Sequence, residues 1–186
     1  MISKEQVLAL IPCEGMVEWL QDKEDMQGAW ESCDRGDWLL WLAGRAGLDQ
    51  KKLVRAAIEC AVPVLQYIPI EEQRPSEALK VVLRWCKGRS TSEEVINASY
   101  AVSDAAYATA HDTTYASDAA YAIANATAII ISAASHAANA AAYTAIYAAY
   151  TADDVGDGLG KSLQDSANTV RQYISWADIE VALHNS

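Results

Sequence analysis

Residues 92–152, a third of the chain, contain neither proline nor glycine. Without those two residues, nothing in the backbone chemistry of this stretch breaks a helix. Charge is scarce as well, and no formally charged residue lies between Asp118 and Asp153. The period-two alternation of a half-buried strand is missing everywhere beyond a few residues, and the apolar run Ile129–Ile131 suits a buried helical turn better. What fills the space is alanine, the best intrinsic helix former, punctuated by tyrosine. Such a composition builds a close-packed helical scaffold and offers little to chemistry.

Reactive side chains are few. The only histidines are His111, His136 and His184, and their spacing fits no metal motif. Cys13, Cys33, Cys60 and Cys86 form no CxxC pair. They are expected to be small apolar core residues in a reducing, cytoplasmic setting. No glycine-rich phosphate loop, nucleophile elbow or Cys–His arrangement occurs. Asp153, Asp154 and Asp157 echo part of a calcium loop, but Gln164 stands where its closing Glu belongs. The sequence thus predicts no metal, no cofactor and no enzyme. The N-terminal residues lack a basic start followed by an apolar run, so no signal peptide is predicted. The uncharged stretch is rejected as a membrane span, because Asn125, Ser132, Ser135, His136 and Asn139 interrupt it.

Charge is distributed unevenly. The net charge is −11, from 25 acidic and 14 basic residues. Residues 1–89 hold 14 acids and 12 bases, a net −2; residues 90–186 hold 11 acids against Lys161 and Arg171 alone, a net −9. This field disfavours nucleic acid and anionic membrane and favours a basic protein partner. The basic patch Lys51, Lys52 and Arg55 is too small to argue for nucleic acid.

The pattern predicts an all-α, single-domain helical bundle of about eight to ten helices around a central alanine-rich helical hairpin. Residues 1–89 read as amphipathic helices, 90–152 as alanine- and tyrosine-rich helices, 153–161 as a loop and 162–186 as a C-terminal helix that runs to about Trp176 with a further turn at Asp178–Leu183. Ser3, Asp37 and Asp49 are expected helix caps, as is Ser90 or Ser92. Pro63 should kink or end the helix that precedes it. Trp38 and Trp41 share a helix face and are expected in the core, where truncating either would cost roughly 3–5 kcal/mol if buried fully. Cys60 joins the apolar stripe Leu53, Ala57, Ala61 and Val64. "SDAAYA" recurs at Ser103 and Ser117, two heptads apart, so both copies present one face. A single helix over the whole tract would be about 90 Å long, against a globule about 40 Å across, so it must fold back. The expected breaks are at 111–114 and near 132–135.

Two sets of residues are candidates for binding. Asp104, Asp112 and Asp118 are helical acids set among alanines. Tyr143, Tyr147 and Tyr150 fall at i, i+4 and i+7 and form a stripe.

The segment "RGDWLLWLAGR" (35–45), an "AAIECA" helix, an "RP" before the next helix and the long alanine–tyrosine–aspartate tract together resemble a bacterial and phage family of immunity proteins. The resemblance spans roughly residues 29–174. It implies an alanine- and tyrosine-rich protein that neutralises a toxin of the polymorphic or contact-dependent kind. This tract carries fewer aspartates and arginines than the family pattern, and its "IANATAIIIS" is more apolar. The leading expectation is therefore an inhibitor that covers a basic toxin or defence nuclease with an acidic helical surface. The same physics would serve a phage-encoded inhibitor of a host defence system. A small-molecule-binding module or enzyme, with a pocket between helices, is the alternative of a different class.

Overall fold

A computed structural model of the chain describes residues 2–109, 114–129, 140, 143–144, 146–148, 150–151, 153 and 158–185. The fold is all-α, and no strand occurs among the described residues. The helices are α1 (Lys4–Leu8), α2 (Glu14–Leu20), α3 (Met26–Ser32), α4 (Gly36–Arg45), α5 (Gln50–Ala61), a 3-10 helix (Val62–Tyr67), α6 (Arg74–Cys86), α7 (Ser92–Thr109), α8 (Thr114–Ala128), α9 (Leu159–Tyr173) and α10 (Trp176–Asn185). The described residues between 140 and 153 are helical too.

Local chemistry sets many of the boundaries. Ser3 and Gln6 form a reciprocal capping box on α1. Asp25 accepts from the N–H groups of Gln27 and Gly28 at the start of α3, and Asp49 accepts from Lys52 N–H at the start of α5. At Pro63 the α-helical ladder gives way to the 3-10 helix, as a proline without an N–H requires. The cap of α7 is Thr91 rather than Ser90 or Ser92: Glu94 N–H donates to the Thr91 hydroxyl, and Thr91 N–H donates back to the Glu94 carboxylate at 2.7 Å. Helix α9 starts at Leu159, ahead of the expected residue 162. The C-terminal segment holds α9 and, where only a turn was expected after Trp176, a further helix, α10. Ser175 and Asp178 form a third capping box that separates the two.

Helix α5 is buried on nearly every side: Val54, Ala56, Ala57, Ile58 and Ala61 have no exposed surface. It touches α4, α6, α8 and α9. Helices α7 and α8 lie against each other as a hairpin and pack on α6, and α8 also packs on α5. Ala119, Ala120, Ala122, Ile123 and Ala126 of α8 are fully buried. Alanine on most faces lets α8 approach several neighbours at once. The expected break at 111–114 falls between these helices, with residues 110–113 outside the described set; the one near 132–135 also lies outside it.

Close approach is most marked between α4 and α9. A Cβ on Gly36 would lie 2.5 Å from Ser166 Cβ and 2.7 Å from Ala167 N. On the other flank, the buried Cys60 thiol of α5 donates to the Ser166 carbonyl at 3.7 Å. Small residues therefore meet where α4, α5 and α9 converge. Trp30 and Trp176, both buried with centroids 6.3 Å apart, tie α10 to α3.

Candidate aromatic binding surface

The helical residues between 140 and 153 are sorted by face. Ala140, Thr144, Ala148 and Thr151 are buried, while Tyr143 and Tyr150 are 51% and 45% exposed and Tyr147 is half-buried between them. The buried hydroxyls are satisfied within the helix: Thr144 donates to the Ala140 carbonyl and Thr151 to the Tyr147 carbonyl. Apolar methyls thus face inward and phenols outward. The outward rings form a ladder, with Tyr143–Tyr147 centroids 6.4 Å apart and Tyr147–Tyr150 6.2 Å apart at nearly right angles. Tyr121 of α8 extends the ladder, 5.5 Å from Tyr147.

At the Tyr143 end the ladder opens into a groove of about 280 Å³, lined by Arg35, Asp37, Trp38 and Trp41 on one side and Tyr143 and Ile146 on the other. Cys13 and Met16 of the α2 region complete the described lining. This geometry corrects the expectation for three residues. Asp37 is not a cap, because Arg35 holds that position. Its buried carboxylate takes two hydrogen bonds from the Arg35 guanidinium, at 2.8 and 2.6 Å. Trp38 and Trp41 are not in the core; they are half-buried and line the groove. Arg35 lies 4.5 Å from the Trp38 ring centroid, and Trp19 packs edge-on to the same ring. Arg45 lies over Trp41 and donates to the Leu10 carbonyl at 2.9 Å, which ties the α1–α2 connection to α4. Sequence reasoning missed Arg35 as a groove residue. Its signal was the i, i+3 spacing from Trp38.

The other predicted positions are scattered. Asp104 is exposed on α7, and its field reaches Arg74 of α6. Asp118 on α8 is half-buried, and Asp112 lies outside the described residues, as do His111 and His136. Cys60 is in the core as expected; burial, chiefly, pushes its thiol up to about 12. Cys33 is likewise pushed up to about 11, so both stay protonated and inert at neutral pH. The basic patch is spent within the chain: Lys52 pairs with Asp178 at 2.6 Å, Arg55 pairs with Glu59, and Lys51 lies over Trp85. A second cleft of about 180 Å³, between α5, the 3-10 helix and α9, is lined by Glu59, Tyr67, Lys161, Asp165, Ser166 and Thr169 among others. It is smaller than the roughly 300–1,000 Å³ typical of small-molecule sites; two shallower, more open hollows reach that size, about 540 Å³ beside Asp49, Lys52 and Asp178 and about 440 Å³ beside Arg74, Glu77 and Glu94.

No described helix is long and apolar enough to cross a membrane. Among the described residues, no group of three or more His, Cys, Asp or Glu side chains is placed to hold a metal ion. No curated protein and no solved structure matches this chain. One protein-family description, "Imm-5 like putative immunity protein", matches residues 46–175, from the end of α4 through α9. The "RGDWLLWLAGR" element lies just ahead of that span, so the match rests on the helices behind the groove and on the tyrosine tract. The chain belongs to the Imm-5 like family of immunity proteins.

Proposed function

We propose that this protein acts in the cytoplasm as a stoichiometric inhibitor that binds and neutralises a basic toxin or defence protein, and that it works by occlusion rather than catalysis. The observation that carries this reading is the exposed tyrosine ladder, set in the chain half with net charge −9, together with the Trp–Arg groove that α4 of the first half places at its end. Tyr, Trp and Arg are the residues enriched at the energetic centres of protein interfaces. Acidic charge around them steers a basic partner and fixes its orientation more than it adds affinity. Asp104, Asp112 and Asp118 are the proposed steering contacts. The cleft beside α9 offers a weaker case for a ligand at about 180 Å³, and the two larger hollows are shallow and open to solvent.

The test changes Asp104, Asp112 and Asp118 to Asn together and measures association with the neutralised toxin. The expected result is a slower association rate and a shallower dependence on salt. If both are unchanged, these acids are not part of the binding face.

A further inference from the structure

The aromatic rings of this protein differ in one respect that bears on what they bind. In the first half, cations of the chain itself cover four partly exposed tryptophan rings. Lys23 lies over Trp19, Arg35 over Trp38, Arg45 over Trp41 and Lys51 over Trp85, at 4.5 to 5.9 Å from the centroids. Arg55 of α5 covers Tyr173 of α9 in the same way. Among the described residues no cation lies over Tyr143, Tyr147 or Tyr150, although two of these are the exposed tyrosines of the ladder.

The reason lies in the sequence. Residues 90–186 contain only two cations. Arg171 is turned inward, donating to the Trp30 and Cys33 carbonyls and to Asn168. Lys161 lines the cleft that Ala148 faces, on the buried side of the tyrosine helix. The ladder therefore presents π-faces, negative by their quadrupole, within the charge-free stretch between Asp118 and Asp153 of a chain half whose net charge is −9, and among the described residues no cation covers them.

We propose that the Tyr143–Tyr147–Tyr150 ladder is a docking rail for the guanidinium groups of an arginine-bearing segment of the basic partner, the exposed rings of Tyr143 and Tyr150 taking cations that the chain does not supply and Tyr147 holding them in place. This rests on the proposed inhibitory function and narrows it to a chemistry. Ring centroids just over 6 Å apart match the spacing at which side chains on an extended or helical segment follow one another. Arginine is favoured over lysine because its planar, weakly hydrated guanidinium stacks on aromatic faces. The fixed Arg35–Asp37 pair closes one end of the rail, because the Asp37 carboxylate is already engaged.

The experiment uses the full chain with ring-labelled tyrosine, its signals assigned through single Tyr→Phe variants. The probes are the peptide acetyl-Arg-Gly-Arg-Gly-Arg-amide and its citrulline counterpart, which keeps the shape and loses the charge. The arginine peptide is expected to shift the ring signals of Tyr143, Tyr147 and Tyr150, and the citrulline peptide to leave them in place. The Tyr143→Leu/Tyr150→Leu pair should weaken binding of the arginine peptide by about two- to fivefold per ring, while Tyr143→Phe/Tyr150→Phe retains it. Equal shifts with both peptides, or full affinity in the leucine pair, would overturn the proposal. Should the leucine pair not fold, the comparison of the two peptides on the unaltered chain decides. Asp104→Asn/Asp118→Asn is measured alongside. If it alone weakens the peptide, the acidic-face reading survives and the rail does not; if the leucine pair alone weakens it, the rail stands and the aspartates are not contacts.

Discussion

Gly36→Ala isolates the packing that holds α4 against α9. The added methyl would sit 2.5 Å from Ser166 Cβ and 2.7 Å from both Ala167 N and the Ser166 carbonyl carbon. Two of those three atoms are backbone, so no rotamer change relieves the overlap. To restore an ordinary contact, the two helices must part by roughly 1 Å. That motion would also disturb the Cys60 contact with Ser166 and the buried Ala167 beside it. Overpacking of this kind typically costs about 1–3 kcal/mol, and a backbone clash belongs at the upper end. The helix-propensity gain of Ala over Gly, at most about 1 kcal/mol in a helix interior, is smaller at the first helical residue. A net loss of about 2–3 kcal/mol should lower Tm by about 4–12 °C in a chain of this size. Thermal unfolding followed by circular dichroism measures this. Gly160→Ala is the internal control, because none of the described residues lies within 4 Å of its added methyl; it should leave Tm unchanged or slightly raised. If Gly36→Ala unfolds no earlier than Gly160→Ala, the close approach of α4 and α9 is not what stabilises this corner.

Three further outcomes are expected. Trp41→Ala should cost about 2 kcal/mol, roughly half the figure for full burial, and should weaken partner binding more than it lowers stability; loss of the fold would return the residue to the core. A thiol reagent at neutral pH should modify exposed Cys13 rapidly, while Cys33 and Cys60 react only on unfolding, because burial holds both thiols protonated; prompt reaction of all four would contradict the packing. The Arg74 side chain, by its hydrogen bonds, lowers the Glu72 pKa. Its contribution to stability is complete above the unfolded value of about 4.3 and is lost as pH falls through the lowered folded value. Acid titration of stability should therefore be flatter below about pH 4 in Glu72→Gln than in the unaltered chain.

Features that depend on a few neighbouring residues were readable from the chain alone. Asp49 caps α5 because its carboxylate reaches an N–H three residues on, and Pro63 ends the helix because it has none to give. The tyrosine face followed from the spacing of residues 143, 147 and 150. What failed were expectations that depend on distant partners. Asp37 looked like a cap, but the residue beside it, Gly36, is pressed against α9, and the carboxylate turns back to Arg35. Trp38 and Trp41 do share a face, yet periodicity cannot say that the tyrosine helix, a hundred residues later, leaves that face half open. The groove joins residues 35–41 to 143–146 and exists only in the folded chain. Ser175 was the subtler miss: its pairing with Asp178 makes the turn expected at residues 178–183 a full helix, although the spacing is that of an ordinary capping box.

The most direct test of the account is the association rate between this chain and the toxin whose growth arrest it relieves, sought first among proteins encoded beside it. Measured by stopped flow as salt rises from 0.1 M to 1 M, the Debye length contracts from about 10 Å to about 3 Å. The account predicts that the rate falls by about tenfold or more over that range while dissociation changes far less. A rate that is indifferent to salt would contradict recognition through the acidic, tyrosine-bearing half.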